Sequence, residues 1–173
     1  MRKSCDGDRE EETDMRGPIV VGTDGSETSR LAIGEAATLA RGSGSPIIVL
    51  FVRHAPLAGL GALSSGGQAV GVLAECQSSD QALAEAQSIA ILEPMGLSWR
   101  FAVGSGDPAS ELIRVATESG SDTIVVAGRR HGAIGGYLAG SVATKLVHQW
   151  GGSLLIIHPR AEDGSPLRGP AVV

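Results

Sequence analysis

Two cysteines, Cys5 and Cys76, are too few and too far apart for a disulfide scaffold or a cysteine-rich metal site, and that scarcity points to a reducing compartment. No apolar run reaches the ~18 residues that would suggest a membrane span, and the N-terminus lacks the apolar core of a secretory signal. The expectation is a soluble, cytoplasmic protein with no membrane partner. Positive charge is in the minority: 14 Lys and Arg stand against 19 Asp and Glu, a net charge of −5. Residues 1–16 carry four positive and six negative side chains, leaving −3 for the rest. A broad basic face for nucleic acid is therefore not expected. Charged residues make up only 19% and the mean hydropathy is +0.12, which argues against a disordered chain. The 25 glycines follow no G-X-Y repeat, which excludes collagen. What remains is a chain of 173 residues, 42% of them hydrophobic, enough for one domain with a buried core.

Recognisable catalytic arrangements are also missing. Lys145 lies four residues past Ser141, inside a helical pattern, so it is no Walker A lysine. His54, His131, His148 and His158 are too dispersed for a zinc signature, no serine sits in a G-x-S-x-G elbow, and no carboxylate pair suggests catalysis. No catalytic residue is assigned, and any ATP hydrolysis would be slow. Gly104-x-Gly106-x-x-Ala109 imitates a dinucleotide fingerprint, but Pro108 just before the third small residue makes it a turn and helix cap. Ser65-Gly66-Gly67 lies too far from the first strand to act as a pyrophosphate loop.

Short apolar runs alternate with helical patterns between two polar tails, residues 1–16 and 161–173, which leaves a domain over 17–160. Pro18 to Gly22 reads as a strand covered on both faces, followed by a helix with Ala32, Ala36, Leu39 and Ala40 inward and Gly42 past its end. Ile47 to Val52 is a second strand, and Pro56 to Gly71 is loop by composition. Ser79 to Leu92 places Ala82, Leu83, Ala86, Ile89 and Ala90 at helical spacing. Trp99, Phe101 and Val103 alternate in a third strand, and Asp107-Pro108 opens a helix burying Ala109, Leu112, Ile113 and Ala116. Thr123 to Ala127 is strand four; Val142, Leu146, Val147 and Trp150 mark the last helix; Leu154 to Ile157 is strand five. Five strands with four helical crossovers give a doubly wound α/β fold: a five-stranded parallel sheet with helices on both faces. Its crevice belongs at the carboxyl ends of the strands, beside a central first strand, between the loops after strands one and four.

The first of those loops, Gly22-Thr23-Asp24-Gly25-Ser26, offers a carboxylate that can accept from ribose hydroxyls, although Asp24 or Ser26 can equally cap the following helix. The second runs from Gly128 through Arg129, Arg130, His131 and Gly132 to Gly140, Ser141 and Val142. Its glycines let backbone N–H groups approach an anion, and the start of the last helix favours phosphate; a solvated loop with scattered cations has the same composition.

Taken in order, Ile19-Val20-Val21-Gly22-Thr23-Asp24-Gly25-Ser26, Gly104-Ser105-Gly106-Asp107-Pro108-Ala109, Thr123 to Gly128, Gly140-Ser141-Val142 and Leu154 to Pro159 resemble the universal stress protein family over nearly all of 17–160. The resemblance implies a dimeric, Rossmann-like α/β protein of the adenine-nucleotide alpha hydrolase type, some of whose members bind ATP. It implies that Asp24 meets the adenosine, that Val52 faces the adenine, and that phosphates lie on a loop patterned Gly-x2-Gly-x9-Gly-Ser/Thr. Gly128, Gly140 and Ser141 fit that pattern, whereas His131 stands where its middle glycine belongs, with Gly132 next, and the loop is one residue shorter. The reading is an ATP-binding stress regulator, with magnesium only as carried by the nucleotide, forming a homodimer through its last strand. The alternative is an interaction module whose phosphate loop has degenerated.

Overall fold

A computed structural model describes residues 17–53, 68–128 and 140–159, with the backbone alone for 68–77. The expected tails at 1–16 and 161–173 lie outside these residues, as do Arg129, Arg130, His131 and Gly132.

Five strands form one sheet: β1 (Ile19–Thr23), β2 (Ile47–Arg53), β3 (Trp99–Ser105), β4 (Thr123–Ala127) and β5 (Ser153–Ile157). All pairings are parallel and the order is β3-β2-β1-β4-β5, so β1 is central as expected. Register follows from the hydrophobic runs: Ile19 lies opposite Ile47 on β2 and Thr123 on β4. Because alternate residues of a strand face opposite ways, each run fills two cores. Ile19, Val21, Ile47, Val49 and Val125 pack under α1 (Glu27–Ser43). Val20, Ile48, Leu50, Ile124 and Val126 pack under α3 (Pro108–Ser119) and α4 (Ser141–Gln149). Burial on both faces explains why the central strands lack the polar alternation of a half-exposed sheet.

Helix ends follow local chemistry. Ser26 caps α1, its hydroxyl accepting from the Ser29 amide, and Asp107 caps α3 ahead of Pro108, accepting from the Ser110 amide. At the other end α1 passes Gly42 and stops at Gly44, whose φ of 71° makes the left-handed cap.

Apolar periodicity misassigned several faces. In α1 the buried apolar residues are Ala32, Ile33, Ala36, Ala37 and Ala40, while Leu39 is 42% exposed. Val115 rather than Ile113 completes the fully buried face of α3, and Val147 on α4 is exposed. The largest correction concerns α2 (Gln68–Leu92), which starts eleven residues before the expected Ser79 and takes in the end of the supposed loop. Its inward face is Ala84, Ser88 and Leu92; Leu83 and Ile89 are 51% and 41% exposed. Ser88 can be buried because its hydroxyl donates to the Ala84 carbonyl one turn back, at 2.7 Å, so its hydrogen is satisfied inside the helix. Small residues inward let α2 lie close to the turn after β1, where a methyl group built on Gly25 would stand 2.9 Å from the Asp80 carbonyl oxygen.

Candidate nucleotide site at the carboxyl edge of the sheet

A cavity of about 790 Å³ opens where β1, β2 and β4 end. Gly22, Thr23 and Asp24 reach it from β1 and the turn that follows, Val52 from β2, and Gly140, Ser141 and Val142 from the start of α4. The turn carrying Asp24 and the segment ending at Ser141, more than a hundred residues apart in sequence, thus share one cavity. It descends on the α3/α4 side of the sheet, where Leu50, Leu112, Val126 and Ala143 make its apolar floor. Gly22 keeps that floor low: a side-chain carbon there would meet the Leu112 methyls at 3.2 and 3.3 Å.

The polar rim is built by two helix starts. Asp24 is exposed, and its Oδ1 accepts from the Ser26 amide at 3.0 Å, which closes a turn and leads the chain into α1. Ser26 takes the cap foreseen for one of the pair, and Asp24 keeps a carboxylate at the cavity edge. Opposite, α4 begins at Gly140 without any side-chain cap, leaving the positive end of a nine-residue helix toward the cavity. Such an end takes an anion, and a carboxylate across from it takes hydrogen-bond donors. An ion pair joins the walls. Lys145 Nζ on α4 lies 2.6 Å from Asp107 Oδ1, the cap of α3, whose Pro108 also lines the cavity. Hydrogen bonds from Lys145 and then from the Ser110 backbone and hydroxyl hold the Asp107 carboxyl below its usual range, at about 2.

Among the described residues, Gly128 is the expected site residue that does not line the cavity. It extends β4, its amide donating to the Ile157 carbonyl at 2.7 Å, and it lies under the His158 ring, whose Cε1 would be 2.2 Å from an added methyl group. Its lack of a side chain is explained by packing. The sequence reading missed Thr28, Ser29, Leu50, Pro108, Leu112, Val126, Ala127, Ala143 and Pro159 at the cavity. Of these only Pro108 carried a signal, as the first residue of a capped helix beside a strand end. Among the described residues there is no cluster of three or more His, Cys, Asp or Glu that could hold a metal ion, and no helix long and apolar enough to cross a membrane.

A model of the universal stress protein family matches residues 15–158. Solved structures agree in fold. A universal stress protein from Archaeoglobus fulgidus is 21% identical with a TM-score of 0.62, covering 83% of this chain and 99% of that one. A universal stress protein in complex with cAMP is 23% identical at 0.63, covering 83% and 98%. The A. fulgidus universal stress protein in complex with dAMP is 21% identical at 0.56, covering 83% and 98%. A comparison with curated proteins gives no significant match. The family match spans the whole described sheet, from β1 to β5, and with the parallel order and the crevice beside the central strand it establishes that the chain belongs to the universal stress protein family.

Proposed function

We propose that the chain binds an adenine nucleotide, ATP, in this cavity, as a regulator and not as a metabolic enzyme. The observation that carries the reading is the convergence of the Asp24 turn and the uncapped start of α4 on one cavity with an apolar floor. In this arrangement Asp24 accepts from the ribose hydroxyls, Val52 flanks the adenine, and the phosphates rest at Gly140 and Ser141. The cavity volume falls within the roughly 300–1,000 Å³ usual for small-molecule sites, so a nucleotide fits. Two family structures whose ligands are cAMP and dAMP support the choice of an adenine nucleotide. Arg129, Arg130, His131 and Gly132 complete the proposed phosphate loop in sequence, with any magnesium arriving on the nucleotide. β5 lies at the edge of the described sheet, and we propose that a second copy pairs with it in a cytoplasmic homodimer.

Isothermal titration of the purified chain with ATP, AMP, cAMP and GTP tests the reading. Adenine nucleotides should give saturable heats that GTP does not. Absence of binding by all four at millimolar concentration would overturn it and favour the interaction module.

A further inference from the structure

The main-chain groups around Asp24 are held in an unusual way. All four polar backbone groups of Gly25 and Ser26 bond to side chains. The Gly25 amide donates to Thr23 Oγ1 at 3.3 Å, and the Gly25 carbonyl accepts from Gln87 Nε2 on α2 at 3.1 Å. The Ser26 amide donates to Asp24 Oδ1 at 3.0 Å, and the Ser26 carbonyl accepts from Ser29 Oγ at 2.8 Å. Thr23 and Ser29 are themselves joined, Oγ1 to Oγ at 3.1 Å, and they are 8% and 1% exposed.

Counting hydrogens gives this network a direction. A hydroxyl has one hydrogen and a carbonyl has none, so the Ser29 hydrogen goes to the Ser26 carbonyl. The Thr23 hydrogen must then go to Ser29 Oγ, and Thr23 Oγ1 accepts from the Gly25 amide. The chain runs from the Gly25 N–H through Thr23 and Ser29 to the Ser26 C=O, beginning and ending on the turn that follows Asp24. Buried hydroxyl chains of this kind strengthen through mutual polarisation and are costly to leave half satisfied. An exposed turn could leave these backbone groups to water; here four side chains fix them, and one of the four belongs to a different helix.

We propose that Thr23, Ser29 and Gln87 are positioning residues that hold the Asp24 turn in its ligand-accepting geometry. The inference rests on the nucleotide reading above and extends it, because it assigns the affinity for ribose hydroxyls to three side chains that need not touch them. Pre-organisation of this kind reduces the ordering cost at the moment of binding.

The test is titration of the wild type, Thr23→Val, Thr23→Ser and Ser29→Ala with ATP and with 2′,3′-dideoxy-ATP, together with amide hydrogen exchange. Thr23→Val keeps the shape and removes the hydroxyl. It should weaken ATP about tenfold and dideoxy-ATP less than about twofold, with Thr23→Ser restoring ATP binding. Ser29→Ala should repeat the selective loss if Thr23→Val folds poorly, and Gln87→Met should show it from the α2 side. Equal losses for both nucleotides, or none, would overturn the proposal. If the wild type binds neither nucleotide, the reading of the site fails separately. Exchange at the Gly25 amide then decides: acceleration about tenfold in Thr23→Val, with Val20 and Val21 still protected, upholds the positioning role, and an unchanged rate rejects it.

Discussion

Gly128→Ala separates a packing role from a ligand role at a residue that matches the family's phosphate-loop pattern. The added methyl carbon would lie 2.2 Å from Cε1 and 2.4 Å from Nδ1 of His158, more than 1 Å inside ordinary contact. The backbone cannot retreat easily, because the Gly128 amide is bonded to the Ile157 carbonyl. The His158 ring must therefore swing away from its partly buried place beside Pro159. Overpacking of this kind costs about 1–3 kcal/mol. Replacing glycine returns about 0.4–1 kcal/mol by restricting the unfolded chain. The net loss should be about 1–2 kcal/mol, or roughly 2–8 °C in melting temperature for a chain of this size. Removing the obstacle should reverse it: Gly128→Ala with His158→Ala should melt above Gly128→Ala alone. Differential scanning calorimetry of the two singles and the double checks both statements. Additive losses, or an unchanged Gly128→Ala melting point with a tenfold weaker nucleotide affinity, would refute the packing argument and return Gly128 to the ligand.

Asp24→Ala should weaken ATP by about 1–3 kcal/mol, read by titration calorimetry, since the ribose donors lose their acceptor. Asp24→Asn, which retains an oxygen for the Ser26 amide, should keep the melting point closer to wild type than Asp24→Ala does. Asp107 has a folded pKa of about 2 against an ordinary 3.8, so its contribution to stability is complete above pH ~4 and disappears as pH falls through 2. With the Asp107 and Lys145 side chains 40% and 51% exposed, that contribution is on the order of 1 kcal/mol or less. Asp107→Asn keeps a competent helix cap and should flatten the acid limb of the stability profile measured by urea unfolding between pH 2 and 5. Gly25→Ala combines a φ of 77° with a methyl group 2.9 Å from the Asp80 carbonyl oxygen. It should cost about 2 kcal/mol or more in the same assay. Leu83→Gln on the exposed face of α2 should change stability by no more than about 0.5 kcal/mol.

The sheet was legible because its inner strands are buried twice over. Ile19-Val20-Val21 and Ile47 to Phe51 leave no room for a polar face, and the glycines and caps between them set the crossovers. The cavity was legible for the same reason, since a central β1 puts the turns after β1 and β4 side by side. Helix faces were harder to read. In α2 the larger apolar residues Leu83 and Ile89 face out while Ala84 and Ser88 face in, because close approach to the β1 turn rewards small volume over hydrophobicity. A serine that satisfies itself on its own helix has no sequence mark distinguishing it from a surface one. Gly128 fitted an anion-loop pattern, yet what excludes a side chain there is a histidine thirty positions later. Lys145 and Asp107 stand 38 residues apart, and only the packing of α3 beside α4 brings their charges together.

The placing of β1 between β2 and β4 also bears on how the molecule is made. During synthesis β2 can pair with β1 early, but the flank that receives β4 waits for more than a hundred residues, from Ile19 to Thr123. Until then a hydrophobic strand keeps an open edge, the hazard met by nascent chains that depend on distant pairings. The pocket that borders that edge gains its second wall only when the start of α4 arrives, so a chain halted before Gly140 would hold the Asp24 turn with nothing opposite it.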